Sequence, residues 1–263
     1  MEVHAHTPDP DPSTSSGHRG RKKWTHYLWE FLMLFLAVFC GFLAENLREH
    51  KIERDKEKEF MKSMLYDLQR DSLFLYNNVK TGPRTILYSD SLISELKKQP
   101  LQGRENRIHY FLCLVTEGLD FRYYDRTVSQ LRNAGGFRLL RKTEVSNAIM
   151  DYDVLMREAQ GYSTSAESWS FISPGLKKSA AIFDIDLVFR LYDSVRAHIG
   201  HIDSISFPPG LKLITYEDKD IREFINLQQY GNLTDVVKLN YSQIAFRKNR
   251  IVDSIIRKEY HLK

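Results

Sequence analysis

With 263 residues, 42% hydrophobic side chains and a mean hydropathy of -0.42, the chain has room for one sizeable core and only a small membrane segment, which excludes a multi-span transporter. Its 38 basic and 34 acidic residues are interspersed and leave a net charge of +4, so no broad basic face for nucleic acid is implied. The two cysteines, Cys40 in an apolar run and Cys113 in a later segment, cannot bridge each other if one sits in lipid and the other in a folded domain. No disulfide framework follows, and the redox compartment stays open.

Residues 1–23 carry Pro-Asp-Pro-Asp-Pro and Ser-Thr-Ser-Ser-Gly with almost no apolar side chains, and read as a disordered tail that cannot bury enough surface to offset its ordering entropy. From Phe31 to Ala44 every residue is apolar or Gly. Extended upstream to Trp24, the run reaches the roughly 20 residues needed to cross a hydrocarbon core. Trp24, Tyr27 and Trp29 suit the headgroup belt, and Glu30 can reach back toward water or His26, four residues earlier. On an insertion scale, about ten Leu, Phe and Val residues at roughly -0.3 to -0.6 kcal/mol each outweigh one acid costing at most about 3 kcal/mol. A cleaved signal peptide competes, because Arg21-Lys22-Lys23 precedes the run. Cleavage after Ala44 would put bulky Phe42 where a small residue is wanted, which favours an uncleaved anchor. A buried helix of a soluble domain is the bland alternative, and being apolar on every face argues against it.

Orientation draws on two opposed signals. Arg19, Arg21, Lys22 and Lys23 hold the short N-terminal side in the cytoplasm, while Arg48, Lys51, Arg54, Lys56, Lys58 and Lys62 follow the span. Long domains translocate largely regardless of charge, whereas a short tail with four cations beside the span does not easily cross, so an inside N-terminus is expected. Within the span, Ala37, Cys40, Gly41 and Ala44 form a strip of small side chains, with Glu30 on nearly the same side; such a strip lets two helices approach closely and predicts a homodimer through this helix. A lone helix with a chance strip is the competing reading.

After the span, Glu45 to Lys62 is nearly all charge, with opposite signs three apart at Glu45/Arg48, Glu53/Lys56, Asp55/Lys58 and Glu59/Lys62, the mark of a helix that water can surround. This charged stalk is expected to lead into a helical soluble domain over 63–263, entered through Phe60, Met61, Met64, Leu65 and Leu68 at helical spacing. Gly82-Pro83 predicts a break, followed by a helix over 84–98 with Ile86, Leu87, Ile93 and Leu96 inward. Further helices are predicted over 105–117, from Asp125 or Thr127 to Gly135-Gly136, and from a Thr143 cap through Val145, Ile149, Tyr152, Leu155 and Met156. Pro174-Gly175 predicts another break, then a helix over 176–199 through Ala180, Phe183, Leu187, Leu191 and Val195. Residues 202–216 read as a small hairpin or an irregular loop. The last stretch, 218–260, reads as one long or twice-bent helix through Ile221, Phe224, Ile225, Ile244, Ile251 and Ile255. The fold class is therefore all-α: a transmembrane helix over 24–44, a stalk over 45–62 and a bundle of five to seven helices.

Motifs of catalysis are weak. His198-Ile-Gly-His201 copies a nucleotide-binding signature without its sheet context, and as a metal pair it lacks a third ligand other than Asp203. Ser94-Glu-Leu-Lys97 matches a penicillin-binding pattern without its companions. Asp151-Tyr-Asp153 and Asp184-Ile-Asp186 place their acids on different helix faces and read as solvent-facing charge. Asn232-Leu-Thr and Asn240-Tyr-Ser fit a glycosylation pattern. No catalytic set, cofactor or metal is predicted.

The run Tyr27–Glu49, centred on Phe31-Leu-Met-Leu-Phe-Leu-Ala-Val-Phe-Cys-Gly-Phe-Leu-Ala44, and the segment Thr127-Val-Ser-Gln-Leu-Arg-Asn-Ala-Gly-Gly-Phe-Arg-Leu-Leu-Arg-Lys-Thr-Glu144 resemble an uncharacterised family of single-span bacterial membrane proteins. The resemblance implies an anchor and a bacterial origin, and with them the inner membrane, but no activity and no site residues; in a bacterial chain the glycosylation pattern carries no meaning. Two functions stay open. One is a non-enzymatic binding, sensory or scaffolding domain in the periplasm, meeting an envelope protein or a ligand. The other is a membrane-anchored enzyme whose active site is dispersed through the helical domain.

Overall fold

The computed structural model describes residues 20–115, 118–133, 135–164 and 166–262. Over these residues the fold is all-helical: α1 (Gly20–Lys97), α2 (Glu105–Val115), α3 (Arg126–Asn133), α4 (Thr143–Thr164), α5 (Ala166–Ile182), α6 (Ile185–Ala197) and α7 (Asp218–Tyr260), with short 3-10 turns at Gly136–Leu139 and Ile202–Ser204. The tail expected over 1–23 lies outside the described residues up to 19, and Gly20–Lys23 already belongs to α1. The chain divides into two compact units, one up to Asp55 and one from Lys56 onward.

In the first unit every residue from Trp24 to Ile52 is solvent-exposed on α1. The expected Glu45/Arg48 pair is present, Arg48 donating to both carboxylate oxygens of Glu45 at 2.9 and 2.5 Å.

The second unit begins inside the expected stalk. Glu57 is buried, its Oε1 accepting the Arg141 N–H at 2.8 Å and the Tyr260 hydroxyl at 2.5 Å, and Met61 has no exposed surface. A charged sequence conceals this entry because the buried acid is satisfied by donors more than eighty residues away in the chain.

Two hydrophobic clusters fill this unit. Met61, Leu68 and Leu75 of α1 pack with Val128 and Leu131 of α3, Val145, Ile149, Tyr152 and Met156 of α4, and Ala245, Val252 and Ile256 of α7. Leu92 and Leu96 of α1 pack with Ile108 and Leu112 of α2, Phe183, Val188 and Leu191 around α6, and Ile221, Phe224 and Ile225 of α7. α1 and α7 thus serve both clusters and run antiparallel. The Leu68 carbonyl meets Asn249, Asn78 meets Ser242 and Ser89 meets Gln228, in opposite order along the two helices.

The break expected at Gly82-Pro83 does not occur. Pro83 lies inside α1, where it forfeits one backbone hydrogen bond and crowds the preceding turn. Packing on both sides offsets this: a Cβ on Gly82 would meet Leu239 at 2.9 Å and Leu119 at 3.1 Å, so α7 and the 119 segment press against this turn. Thr81 and Thr85 bond their hydroxyls to the Asn77 and Thr81 carbonyls, the back-bonding that bent helices use. Consequently the helix expected over 84–98 is the end of α1, with Leu92, Ile93 and Leu96 buried and Leu87 exposed.

Pro174 likewise lies inside α5, and the actual break falls at Phe183-Asp184. Asp184 is the N-cap of α6, its carboxylate accepting the Leu187 N–H at 3.3 Å. Asp184 is thus a cap, and only Asp186 of that pair is plain surface charge, bonded to Arg190 four residues on. α3 starts after Asp125, whose carbonyl accepts the Ser129 N–H at 2.8 Å, and α4 follows Lys142, one residue before the expected Thr143 cap. Residues 205–217 form an irregular loop held to the end of α5 by the Ile214 N–H on the Ile182 carbonyl at 2.8 Å. α7 is one helix throughout.

Candidate functional site

Three features invite a functional reading: the apolar helix, a buried polar network, and a pair of adjoining cavities.

Along 24–44, Phe31, Phe35 and Phe39 stack in steps of four residues, with ring centroids 6.3 and 5.9 Å apart. His26 Nε2 lies 3.1 Å from Glu30 Oε1, the partner expected for the one acid in the run. Trp24, Tyr27 and Trp29 are exposed at its N-terminal end. Ala37, Cys40, Gly41 and Ala44 are exposed as well, and a Cβ on Gly41 would meet nothing within 4 Å, so the strip is open to a second helix.

The polar network joins α1, α3, α4 and α7. Asp67 accepts the Thr127 N–H at 2.9 Å and the Thr127 hydroxyl at 2.6 Å, with Arg126 at 3.3 Å, and so holds the start of α3. Asp71 accepts the Tyr124 N–H and the Tyr152 hydroxyl, both at 2.9 Å, while Asn249 donates to Tyr152 and to the Leu68 carbonyl. Asp153 accepts from Tyr123, Arg132 and Arg157 and is buried, contrary to the solvent-facing reading of Asp151-Tyr-Asp153. Only Asp151 faces water, paired to Lys248 at 3.1 Å. Burial pushes Asp71 up to about 7 against its hydrogen bonds, and burial pushes Asp235 up to about 6 despite Lys238 and the Leu119 N–H. Raised carboxyls mark active sites when they line a cleft. Asp71 is enclosed by protein partners, so the network reads as a device that sets helix register.

The cavities lie end to end along α6. Ile185, Phe189, Tyr192 and Arg196 recur every three to four residues and so fall on one stripe of that helix, with Ile199 in the turn just beyond it. The N-terminal part of the stripe walls an apolar groove of about 660 Å³, closed by Leu112 of α2 and by Leu176, Ser179 and Ala180 of α5. The C-terminal part walls a cavity of about 300 Å³ with a mixed polar and apolar lining, which also takes in Asn78, Thr81, Arg84, Thr85 and Tyr88 of α1. Tyr192 lines both. Its hydroxyl accepts from Arg196 Nη1 at 2.9 Å, and the guanidinium carbon lies 5.4 Å from its ring centre, so phenol oxygen and charge meet on the polar side. Asp120, an acid on this cavity's lining, is bonded to Arg122 at 2.8 Å. Cys113 borders the same cavity, but burial pushes its thiol up to about 11, which keeps it protonated and a poor nucleophile at neutral pH.

None of the four stripe residues, nor Ile199, stood out in the sequence as a site. The signal was present as an apolar-to-cationic gradient along one face of a helix, hidden because the sequence reading set the helix boundary at Pro174-Gly175 and not at Asp184. The motifs that did stand out are dispersed. Ser94 and Lys97 are exposed on α1, His198 bonds the Ser194 carbonyl at the end of α6, and His201 is exposed beyond it. Among the described residues no group of three or more His, Cys, Asp and Glu is placed to hold a metal ion. His109 is fully buried, with Nδ1 on the Glu105 carbonyl at 2.9 Å and its ring edge-on to Phe183; burial lowers its pKa, so it stays neutral. No protein-family model, curated protein or solved structure matches this chain.

Proposed function

We propose that this is a single-pass membrane protein of the bacterial inner membrane, with its N-terminus in the cytoplasm and its helical body on the outer side, acting as a non-enzymatic binding module. The observation that carries the reading is the complete exposure of the apolar run on α1. Trp24, Phe31, Leu34, Val38 and Phe42 are each more than three-fifths exposed, and no described residue of the run is buried. Burying one such side chain is worth roughly 1.5–3 kcal/mol, so about a dozen left in water would carry a penalty larger than the whole stability of a typical domain. Hydrocarbon removes that penalty, and the run has the length to span it. The bacterial assignment rests on the resemblance of 27–49 and 127–144 described above, and the orientation on the four cations that precede the span.

Binding is favoured over catalysis because Asp71 is sealed among protein partners and Cys113 is held protonated. The cavities, in contrast, present hydroxyls, guanidinium groups and hydrocarbon. Extraction of membranes with alkaline carbonate tests the anchor. The full chain stays in the pellet, and a variant with Leu34→Lys and Phe39→Lys, about 5 kcal/mol or more worse for insertion, moves to the supernatant. Release of the unaltered chain would refute the anchor.

A further inference from the structure

Residues 119–125, between α2 and α3, cross α1 as an extended strap running in the opposite direction. Asn78 donates to the Asp120 carbonyl at 2.8 Å, Asp71 accepts the Tyr124 N–H at 2.9 Å, and Asp67 accepts the Thr127 N–H just beyond the strap at 2.9 Å. Extended backbone sends successive side chains to opposite faces. Phe121 and Tyr123 are accordingly buried, while Arg122 and Tyr124 stay at the surface and meet the outer side of α1. There, three guanidinium groups lie against aromatic rings. Arg70 sits 5.7 Å from the ring centre of Tyr66 and 4.5 Å from that of Tyr124, Arg126 lies 5.5 Å from Tyr66, and Arg122 lies 6.0 Å from Phe74. Arg122 and Arg126 are also bonded to Asp120 and Asp67, and Asp125 is taken up by Ser129 and Arg157. Arg70 is exposed and, among the described residues, meets the two rings and no carboxylate. Tyr66, Arg70 and Leu73 share one stripe of α1, with Tyr66 50% and Leu73 64% exposed.

We infer that this face, formed by Tyr66, Arg70 and Leu73 of α1 with Arg122, Tyr124 and Arg126, docks an acidic segment of a partner protein, carboxylates meeting the guanidinium forks and an apolar side chain covering Leu73. The inference deepens the binding reading above and rests on it. Tyr and Arg are the residues that dominate binding energy at protein interfaces, and rings that hold the guanidinium groups flat leave them less freedom to lose on association. Charge sets the kind of partner. The acids of the strap already have cationic partners and Arg70 has none among the described residues, so an incoming carboxylate gains a charged hydrogen bond there. A membrane surface fits worse, because attraction to anionic lipid sums over clustered cations and needs no fixed geometry, whereas these three arginines are held in place by rings. Nucleic acid fits worse too, because its affinity comes from neutralising many phosphates, and Asp120 and Asp125 stand among only a few cations here.

The test selects displayed random peptides on the full chain in phosphatidylcholine nanodiscs, with the double variant Arg70→Ala and Leu73→Ala as the counter-selection. Both side chains are exposed, and circular dichroism checks that the variants keep the fold. The expected peptides carry a surplus of Asp and Glu beside an apolar residue. One of them, made synthetically with a fluorophore and followed by anisotropy, binds roughly tenfold more weakly to Arg70→Ala, the loss of one charged hydrogen-bonded contact. Leu73→Glu weakens it at least as much, and Arg70→Lys restores little, because an ammonium has no fork. Selected peptides without a surplus of acids overturn the inference. So does an acidic peptide that binds the parent chain, Arg70→Ala and Leu73→Glu alike; such a peptide sits elsewhere on the body and leaves the binding reading standing. Loss of peptide binding when phosphatidylglycerol replaces phosphatidylcholine in the nanodiscs overturns it too, because lipid would then occupy the face. An empty selection overturns this face and counts against the binding reading with it.

Discussion

Replacing Phe183 by alanine is expected to remove about 3–5 kcal/mol of stability from the helical body. Phe183 has no exposed surface and sits where α5 ends and α6 begins, edge-on to Phe224 at 5.3 Å and to His109 at 5.7 Å between ring centres. The substitution deletes a large buried ring and leaves a cavity whose walls come from α2, α6 and α7 and cannot all close in. It also loosens the α5–α6 junction that shapes the groove. The control is Phe189→Ala on α6, where the ring is largely exposed and the change should stay within about 0.5 kcal/mol. Urea unfolding of the full chain in nanodiscs, followed by circular dichroism, reads both. A loss below about 1 kcal/mol at Phe183 would contradict the assigned core.

The second large effect concerns pH and Asp71. In the unfolded chain its carboxyl titrates near 3.8, and in the folded body burial lifts it to about 7, so between these values the folded state holds a proton that the unfolded state has released. Stability from this group is therefore greatest below about pH 4, falls as pH rises, and reaches its minimum above about pH 7, where the folded state keeps a buried carboxylate. The full span corresponds to roughly 4 kcal/mol as an upper bound. Asp71→Asn keeps an acceptor for the Tyr124 N–H and removes the charge. Subtracting its stability curve from that of the parent chain cancels every other titrating group. The difference should favour the variant increasingly from pH 4 to pH 7 and then level off. A difference that is flat, or that favours the parent more as pH rises, would show that Asp71 is ionised at little cost.

Much of the fold is legible from apolar spacing. Met61, Met64, Leu65 and Leu68 on α1, and Val145, Ile149, Tyr152 and Met156 on α4, are large side chains on one helical face, and they are the residues that the core buries. Spacing misleads where a core position is small or polar. On α7 the buried stripe is Ala245, Asn249, Val252 and Ile256, whereas Ile244 and Ile251, which look the better core residues, are exposed. Asn249 is buried because Tyr152 and the Leu68 carbonyl need its amide, a requirement set by α1 and α4 and invisible within α7. Proline misleads in a related way. Pro83 and Pro174 both lie inside helices despite a local penalty that favours a break; at Pro83 long-range packing outweighs it, and a single carboxylate at Asp184 caps α6. Asp153 and Glu57 were hidden because a buried acid cannot be told from a surface acid until its donors, Tyr123, Arg132, Arg157 and Tyr260, arrive from elsewhere in the chain.

The cavities were less legible than the fold. Their polar groups span from Asn78 to Arg196 and meet only when α1, α2 and α6 pack, so no spacing rule brings them together. The apolar helix is the opposite case. Its length and composition are local properties, and they can be read without any tertiary contact.

In the proposed topology, one span crosses the membrane and leaves the helical body on the far side. Fusing alkaline phosphatase and, in parallel, a fluorescent protein that matures only in the cytoplasm to Lys263 in a bacterial host tests this directly. The predicted result is phosphatase activity without fluorescence. Fluorescence without phosphatase activity would place the body in the cytoplasm, show that the cations from Arg48 to Lys62 outweigh those from Arg19 to Lys23, and contradict the proposed orientation.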